Sequence, residues 1–272
     1  MKIMLFNNYR KQNTRLFAEK ITDILEKQDV QTIITDGFEL QDSAETEVDY
    51  IIIVGGDGTF LRATRLYGQK NIPVLGVNMG KVGFLSNIHV DDVENGLNRL
   101  LTGQFQLIEK MLLQVSVFRD GKRIHILNAL NEVILKTIAG KLSAFALTTE
   151  EEEIARLRSD GVIIATPAGS TAYSFSAGGP IVDTDIPAFV VTLLSSYYLH
   201  HRPLVISAEK TIRLEIVHGE NNVLFADGCQ ETLLSSHDTI VVQKAPFSLK
   251  LIDFKLNKSY WSGIYERLGR NV

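Results

Sequence analysis

Hydrophobic positions change their spacing partway along the chain. Before residue 105, short apolar runs alternate with stretches of helical period. Residues 2–6 (KIMLF), 30–34, 48–54 and 72–77 predict strands. Between them, a helix from about Asn13 places Phe17, Ile21, Ile24 and Leu25 on one face. A second helix is expected over residues 60–67, capped by Thr59 and ended by Gly68. A third, over residues 91–101, turns Val93, Leu97, Leu100 and Leu101 inward. Strands alternating with helices imply a parallel sheet with right-handed crossovers.

From Phe105 onward the period is that of strands. Residues 112–118 and 124–135 flank Arg119-Asp120-Gly121-Lys122, a strong hairpin signal. Residues 142–147 and 154–158 flank the acidic run 150–153, which reads as a solvated hairpin tip rather than a metal site. Runs 162–165, 189–194, 211–217, 223–226 and 239–242 continue the series. The fold class expected is therefore an α/β N-terminal domain with a parallel sheet, followed by a β-rich C-terminal domain of two sheets. The boundary is a change of period, with residues 1–102 on one side and 103–255 on the other. The tail, residues 256–272, carries Tyr260, Trp261, Ile264, Tyr265 and Leu268, and is expected to pack back on the first domain.

Composition narrows the function classes. With 272 residues, 45% hydrophobic and 22% charged, the chain has ordinary globular usage. A net charge of −4 gives no polybasic surface for nucleic acid. No apolar run approaches a membrane span, and the N-terminus reads as a first strand rather than a signal peptide. Cys229 is the single cysteine, which excludes an internal disulfide and a cysteine-built zinc site. These features fit a cytoplasmic protein.

The candidate chemistry centres on residues 51–59, IIIVGGDGT. A buried strand, a glycine turn and a helix start together offer backbone N–H groups to a phosphate. Gly55, Gly56 and Gly58 let an anion approach the main chain, with Thr59 beside them. Asp57 would repel phosphate, and makes sense as a cation ligand or as the base that takes a proton from a hydroxyl. The same four residues, GGDG, are also an ordinary turn between strand and helix. A second glycine turn over residues 78–83 would form a rim. Three further places stand out. Residues 158–173, RSDGVIIATPAGSTAY, run a strand into a loop rich in hydroxyls and small residues. Asn131-Glu132 interrupts an apolar run, where burial is costly without partners. Asp227-Gly228 ends a strand and reads equally as a plain turn. There is no Walker A loop, HExxH pair, GxSxG elbow or Rossmann glycine fingerprint. His200-His201 are adjacent, which suits a structural role.

Taken together, GGDGT at Gly55, GVNMGKVGFL from Gly76, Asn131-Glu132, Asp160-Gly161 and TPAGSTAYSFSAGGP from Thr166 resemble the NAD kinases, in the family's order and across nearly the whole chain. The GGDGT turn alone is shared with lipid and sugar kinases. The Asn-Glu pair with the GSTAY loop is far more specific. The resemblance implies phosphorylation of the adenosine ribose 2′-hydroxyl of NAD, giving NADP. It casts Asp57 as the group that activates the hydroxyl, with Gly58 beside the acceptor ribose. Asn131 and Glu132 would clasp NAD. Asp160 and the loop residues Thr171, Ala172, Tyr173, Ser174 and Ser176 would embrace its two ends, Tyr173 as a stacking face. Arg62 and Arg158 are candidates for phosphate charge. Gly55, Gly56, Gly58 and Thr59 would form the phosphate-donor loop, for ATP or polyphosphate. A divalent cation, Mg²⁺ carried with the nucleotide, and a homo-oligomer (dimer or tetramer) are further implications; an active site in the family can borrow residues from a neighbouring subunit. Two departures are visible: Ala168 stands where the family's TPTGST loop has threonine, and Cys229 precedes Gln230, to which no role is given. The rival readings are a GGDGT-type lipid or sugar kinase and a non-catalytic NAD sensor.

Overall fold

In a computed structural model, residues 1–8, 11–36, 47–79, 88–138, 140–150, 152–198 and 200–254, with Trp261 and Ile264, are described. The chain forms two compact units, Met1–Glu109 with Leu249–Val272, and Lys110–Ser248.

The first unit is α/β. In chain order it contains β1 (Lys2–Asn7), α1 (Gln12–Glu26), β2 (Gln31–Asp36), β3 (Tyr50–Val54), α2 (Asp57–Tyr67), β4 (Val74–Asn78), the short β5 (Ile88–His89) and α3 (Val93–Leu101). The strands run parallel in the order β2-β1-β3-β4, with β5 also parallel to β4. Alternate residues face opposite ways. Ile3, Leu5, Ile52, Val54, Leu75 and Val77 join Ile21 and Leu25 of α1 and Leu97 and Leu100 of α3 in one core cluster. Met4, Phe6, Ile51 and Ile53 are also fully buried, and Phe6 meets Tyr67 of α2 edge-on at 6.0 Å. Burial on both faces is why these strands read as continuous apolar runs.

The second unit is β-rich. Its strands are β6 (Gln106–Arg119, entering from the first unit), β7 (Lys122–Ala129), β8 (Glu132–Thr137), β9 (Ser143–Thr149), β10 (Glu152–Ser159), β11 (Gly161–Ala165), β12 (Ala188–Leu194), β13 (Leu204–Ser207), β14 (Ile212–His218), β15 (Asn222–Ala226), β16 (Cys229–Leu234) and β17 (Thr239–Asp253, leaving for the first unit). One helical turn, α4 (Tyr173–Ser176), interrupts them. Strands β10-β9-β14-β17 pair antiparallel, and β6 pairs with β17 and β7. The other sheet is antiparallel throughout, in the order β13-β12-β11-β8-β15-β16. Leu113, Val115, Phe145, Leu147, Leu214 and Val242 from the first set share a core with Val133, Leu135, Val162, Ile164, Val191 and Leu224 from the second.

The predicted architecture of an α/β unit and a two-sheet β-rich unit is observed, with local corrections. Helix α2 begins at Asp57, so Thr59 lies inside it and caps nothing; Gly56, in extended backbone, is the N-cap. The apolar run 124–135 is two strands. Chain leaves β7 at Ala129 and enters the other sheet at Glu132, turning through Leu130 and Asn131. Strand β13 (LVIS) alternates half-buried and exposed positions, and β16 (CQETLL) is mostly polar; neither is among the strands expected from the sequence. The Asp120-Gly121 hairpin is present, both residues at positive φ. The rim turn expected after Met79 falls on residues 80–87, outside the described residues, as does most of the tail. Within the tail, Ile264 is buried and Trp261 is exposed.

Candidate active site

In the first unit, parallel register brings three strand ends together. Asn7 of β1 lies opposite Val54 of β3, and Val54 opposite Val77 of β4. Ligands gather at such carboxyl ends in parallel sheets. The Gly55 N–H donates to the Val77 carbonyl (3.0 Å), which closes the turn. A side chain at Gly55 would meet the Thr59 hydroxyl at 2.6 Å, so this glycine is required by the chain's own packing. Gly56 and Gly58 are different. Nothing lies within 4 Å of where their Cβ atoms would be. Gly58 lies in the first turn of α2, where glycine is somewhat costlier than alanine; Gly56 is the N-cap, a position that glycine suits. The space left open at both suits an incoming ligand. Asp57 is the first residue of α2 and half-buried, where the helix dipole favours its charge. Arg62 is one turn from Gly58 on the same face. A 200 Å³ pocket lies here, lined by Asn7, Lys11, Gly56, Gly58, Thr59 and Arg62 among others. A second, of 550 Å³, shares Lys11, Gly56 and Thr59 with it and extends to Asn13, Thr14, Asn78 and Met79.

In the second unit, two sequence-distant segments converge on the turn between β7 and β8. Register places Ala165, the end of β11, opposite Glu132, and Ala226, the end of β15, opposite Val133. Beyond β11, the Thr166 N–H donates to the Asn131 carbonyl (2.8 Å) and the Thr166 hydroxyl to the Leu130 carbonyl (2.6 Å). Gly169 packs so tightly on the Asn131 backbone that a Cβ would run into its carbonyl. Beyond β15, Asp227 and Gly228 take positive φ (47° and 78°), the two-residue hairpin turn that Asp-Gly favours. The Asp227 carboxylate is 7% exposed and accepts from the N–H groups of Leu130 (2.8 Å), Asn131 (2.8 Å) and Glu132 (3.2 Å). The Asp227 N–H in turn donates to the Glu132 carbonyl (3.0 Å). Asp227 is thus both a turn residue and the clamp on the Asn-Glu pair.

Glu132 is 6% exposed and one carboxyl oxygen, Oε2, has no partner among the described residues. Burial, and then the negative charge of Asp227, push its pKa up to about 8, against the opposing effect of a bond from the Tyr173 backbone N–H. At neutral pH Glu132 is therefore a protonated carboxylic acid, able to donate as well as accept.

The remaining candidates divide. Thr171 and Ala172 are half-buried, and Tyr173 (39% exposed) and Ser176 are open to solvent. Ser174 is fully buried and its hydroxyl is paired with Thr192 (2.9 Å), so it serves the interior. Arg158 and Asp160 lie near the opposite end of β11, where Gly161 pairs with Lys136. Four residue steps, about 13 Å, separate that end from Ala165. There the Arg158 guanidinium sits 5.0 Å above the Tyr197 ring. The spacing along the chain hid this separation. Asp227, Thr166 and Asn7 were not singled out as site residues by their sequence; Asp227 carried only the ambiguous Asp-Gly signal.

Comparison with known proteins gives one answer for both units. The model of the ATP-NAD kinase N-terminal domain matches residues 1–105 and that of the ATP-NAD kinase C-terminal domain residues 130–254. The chain is similar to the NAD kinase of Carboxydothermus hydrogenoformans, at 35% identity over 84% of this chain and 81% of that one. It is 33% identical to the NAD kinase of Natranaerobius thermophilus over 97% and 96% of the two chains. Among solved structures, the Archaeoglobus fulgidus NAD kinase in complex with ATP superposes with a TM-score of 0.80 at 25% identity, covering 100% of both chains. Yeast NADH kinase complexed with NADH shares the fold, with a TM-score of 0.87 at 22% identity over 100% of this chain and 88% of that one.

Two measurements check the clamp. Because the folded pKa of Glu132 is raised from 4.5 to about 8, its contribution to stability is full below pH 4.5 and is lost as pH rises to about 8. Urea unfolding across that window is expected to show the decline, and Glu132→Gln to flatten it. Asp227→Ala leaves three backbone donors without their acceptor and is expected to cost about 2–4 kcal/mol in the same assay. Asp227→Asn keeps an acceptor oxygen, is expected to cost less, and should lower the pKa of Glu132 when followed by NMR titration.

Proposed function

The chain belongs to the NAD kinase family, and from that premise we propose how its residues divide the work of the reaction. The enzyme phosphorylates the 2′-hydroxyl of the adenosine ribose of NAD to give NADP, with ATP as co-substrate. Asp57 takes the proton from that hydroxyl as the oxygen attacks the donor's terminal phosphorus and the bond to the leaving phosphate breaks. The observation that carries this role is the glycine turn. It sets one carboxylate at the carboxyl ends of parallel strands, with open space at Gly56 and Gly58 on either side. Gly55, Gly56, Gly58 and Thr59 receive the donor's phosphates, and Arg62 offsets their charge. Asn131 and Glu132 hold NAD, the neutral Glu132 acid both donating and accepting at a sugar hydroxyl. Tyr173 offers its exposed ring as a stacking face, with Thr171, Ala172 and Ser176 around it. Ser174 supports that loop from inside through Thr192.

A divalent cation such as Mg²⁺, brought in with the donor's phosphates, would supply charge neutralisation during phosphoryl transfer, and Asp57 would be this chain's residue to hold it. The half-buried Asp57 carboxylate is a hard oxygen ligand suited to such an ion. The described residues hold no cluster of three His, Cys, Asp or Glu groups, and a cation brought in by phosphates requires none.

The protein acts in the cytoplasm as a homo-oligomer, a dimer or tetramer. Arg158 and Asp160 support this reading. Placed at the far end of β11 from Glu132, they would reach an NAD held at the Asn-Glu pair from a second copy of the chain. A lipid or sugar kinase sharing only the GGDGT turn would have no use for the clamped Asn-Glu pair, and a sensor would have none for Asp57.

Two experiments test the assignments. Asp57→Asn is expected to keep the fold and NAD binding and to lose about 10²–10⁴-fold in NADP formation, assayed with ATP and with polyphosphate in parallel. Full activity in that variant removes Asp57 from the mechanism. Mixing separately inactive Asp57→Asn and Asp160→Ala proteins is expected to restore part of the activity, because some sites then combine an intact Asp57 with a neighbour's intact Asp160. No recovery after demonstrated subunit exchange places both residues' work in one chain.

A further inference from the structure

Asn7 is a pocket-lining group whose burial the chain's own described contacts do not explain. It ends β1 with 0% exposure, and neither its Nδ2 nor its Oδ1 has a hydrogen-bond partner among the described residues. A buried amide with neither end satisfied is costly, and an apolar residue would continue the strand without that cost. Its place gives it a use. Asn7 lines the 200 Å³ pocket with Lys11, Gly56, Gly58 and Arg62. Lys11 is the N-cap of the 15-residue α1, and Gly56 is the N-cap of the 11-residue α2; neither supplies a side-chain cap. Two helix N-termini, with their outward N–H groups and positive dipole ends, therefore border one small pocket. Two cationic side chains border it as well.

We propose that, in the pocket already assigned to the donor's phosphates, Asn7 is a further donor-binding residue, its Nδ2–H donating to a phosphate oxygen. The proposal rests on the reading of the glycine turn as the donor loop. Pockets that hold whole drug-sized ligands measure about 300–1,000 Å³. A volume of 200 Å³ suits the phosphate chain rather than the nucleoside. The adjoining 550 Å³ pocket, which shares Lys11, Gly56 and Thr59, leaves room for a nucleoside that recognition of the chain does not require. The neutral amide also has a logic here. It donates to phosphate without adding a further charge beside Asp57. Any donor carrying a linear polyphosphate, with or without a nucleoside, would meet the same groups.

The test compares wild type, Asn7→Ala and Lys11→Met, first by thermal shift with inorganic tripolyphosphate and Mg²⁺, then by initial rates with NAD and ATP. Without ligand, Asn7→Ala is expected to melt at or above the wild-type temperature, because the unsatisfied amide is gone. Tripolyphosphate is expected to raise the wild-type melting temperature and to raise that of both variants less. The KM for ATP is expected to rise about fivefold or more in each variant, the KM for NAD staying within twofold. An Asn7→Ala protein with wild-type donor KM and wild-type tripolyphosphate shift overturns the proposal. So does a wild-type protein that tripolyphosphate does not stabilise. Should Asn7→Ala not fold, Lys11→Met at its exposed position decides by the same donor-KM measurement. Failure of the underlying reading looks different, since Gly58→Ala, whose Cβ meets nothing in the chain, would then also leave the KM for ATP unchanged.

Discussion

A single carboxylate holds the β-rich unit's functional corner in shape. Asp227 takes up the N–H groups of three consecutive residues, Leu130, Asn131 and Glu132, just where the chain leaves one sheet and enters the other. A corner between sheets leaves backbone donors that no strand can satisfy, and buried donors without partners are costly. Thr166 performs the complementary task on the carbonyl side, bonding to Leu130 and Asn131. Both polarities of the turn are thus occupied from flanking strands, and the peptide of the Asn-Glu pair has little freedom to move.

That solution creates an electrostatic cost which function can use. The clamp puts one buried carboxylate beside another. Asp227 has three backbone donors; Glu132 has one donor from Tyr173 and an oxygen without a partner among the described residues, and its pKa climbs to about 8. Environment separates two chemically similar acids into an acceptor and a donor. The glycine turn of the α/β unit follows a related logic. Gly55 is demanded by Thr59, whereas Gly56 and Gly58 face empty space. Asn7, buried and without a partner among the described residues, belongs with them. At Gly58 and Asn7 local stability is given up where a polar ligand can restore it.

Much of the fold was legible because burial and period are local properties. The runs at Ile51 to Val54 and Leu75 to Val77 are apolar without alternation since helices cover both faces of their sheet. The Arg119–Lys122 hairpin announced itself through Asp120-Gly121, whose positive φ angles suit that dipeptide. Errors arose where two elements share one pattern. The run 124–135 is apolar on both sides of its corner because both sheets contribute to one core, and the corner itself is marked only by the polar pair Asn131-Glu132. Thr59 looked like a cap because threonine often caps; with Gly56 available in extended backbone, α2 starts earlier and Thr59 covers Gly55 instead.

By itself the sequence determined the elements, the change from α/β to β, the glycine turn with its aspartate, and the motifs that mark the family. Those depend on residue type and near neighbours. Tertiary structure alone decided which groups act together. Asp227 meets residues 95 to 97 positions earlier, Gly169 seats on Asn131, and Arg158 and Asp160, close in sequence to Thr166, end up across the length of a strand from it. An extended strand carries its two ends apart, and antiparallel pairing brings distant ones together. Proximity in the chain and proximity in space therefore diverge most in the β-rich unit, where the polar clasp is built.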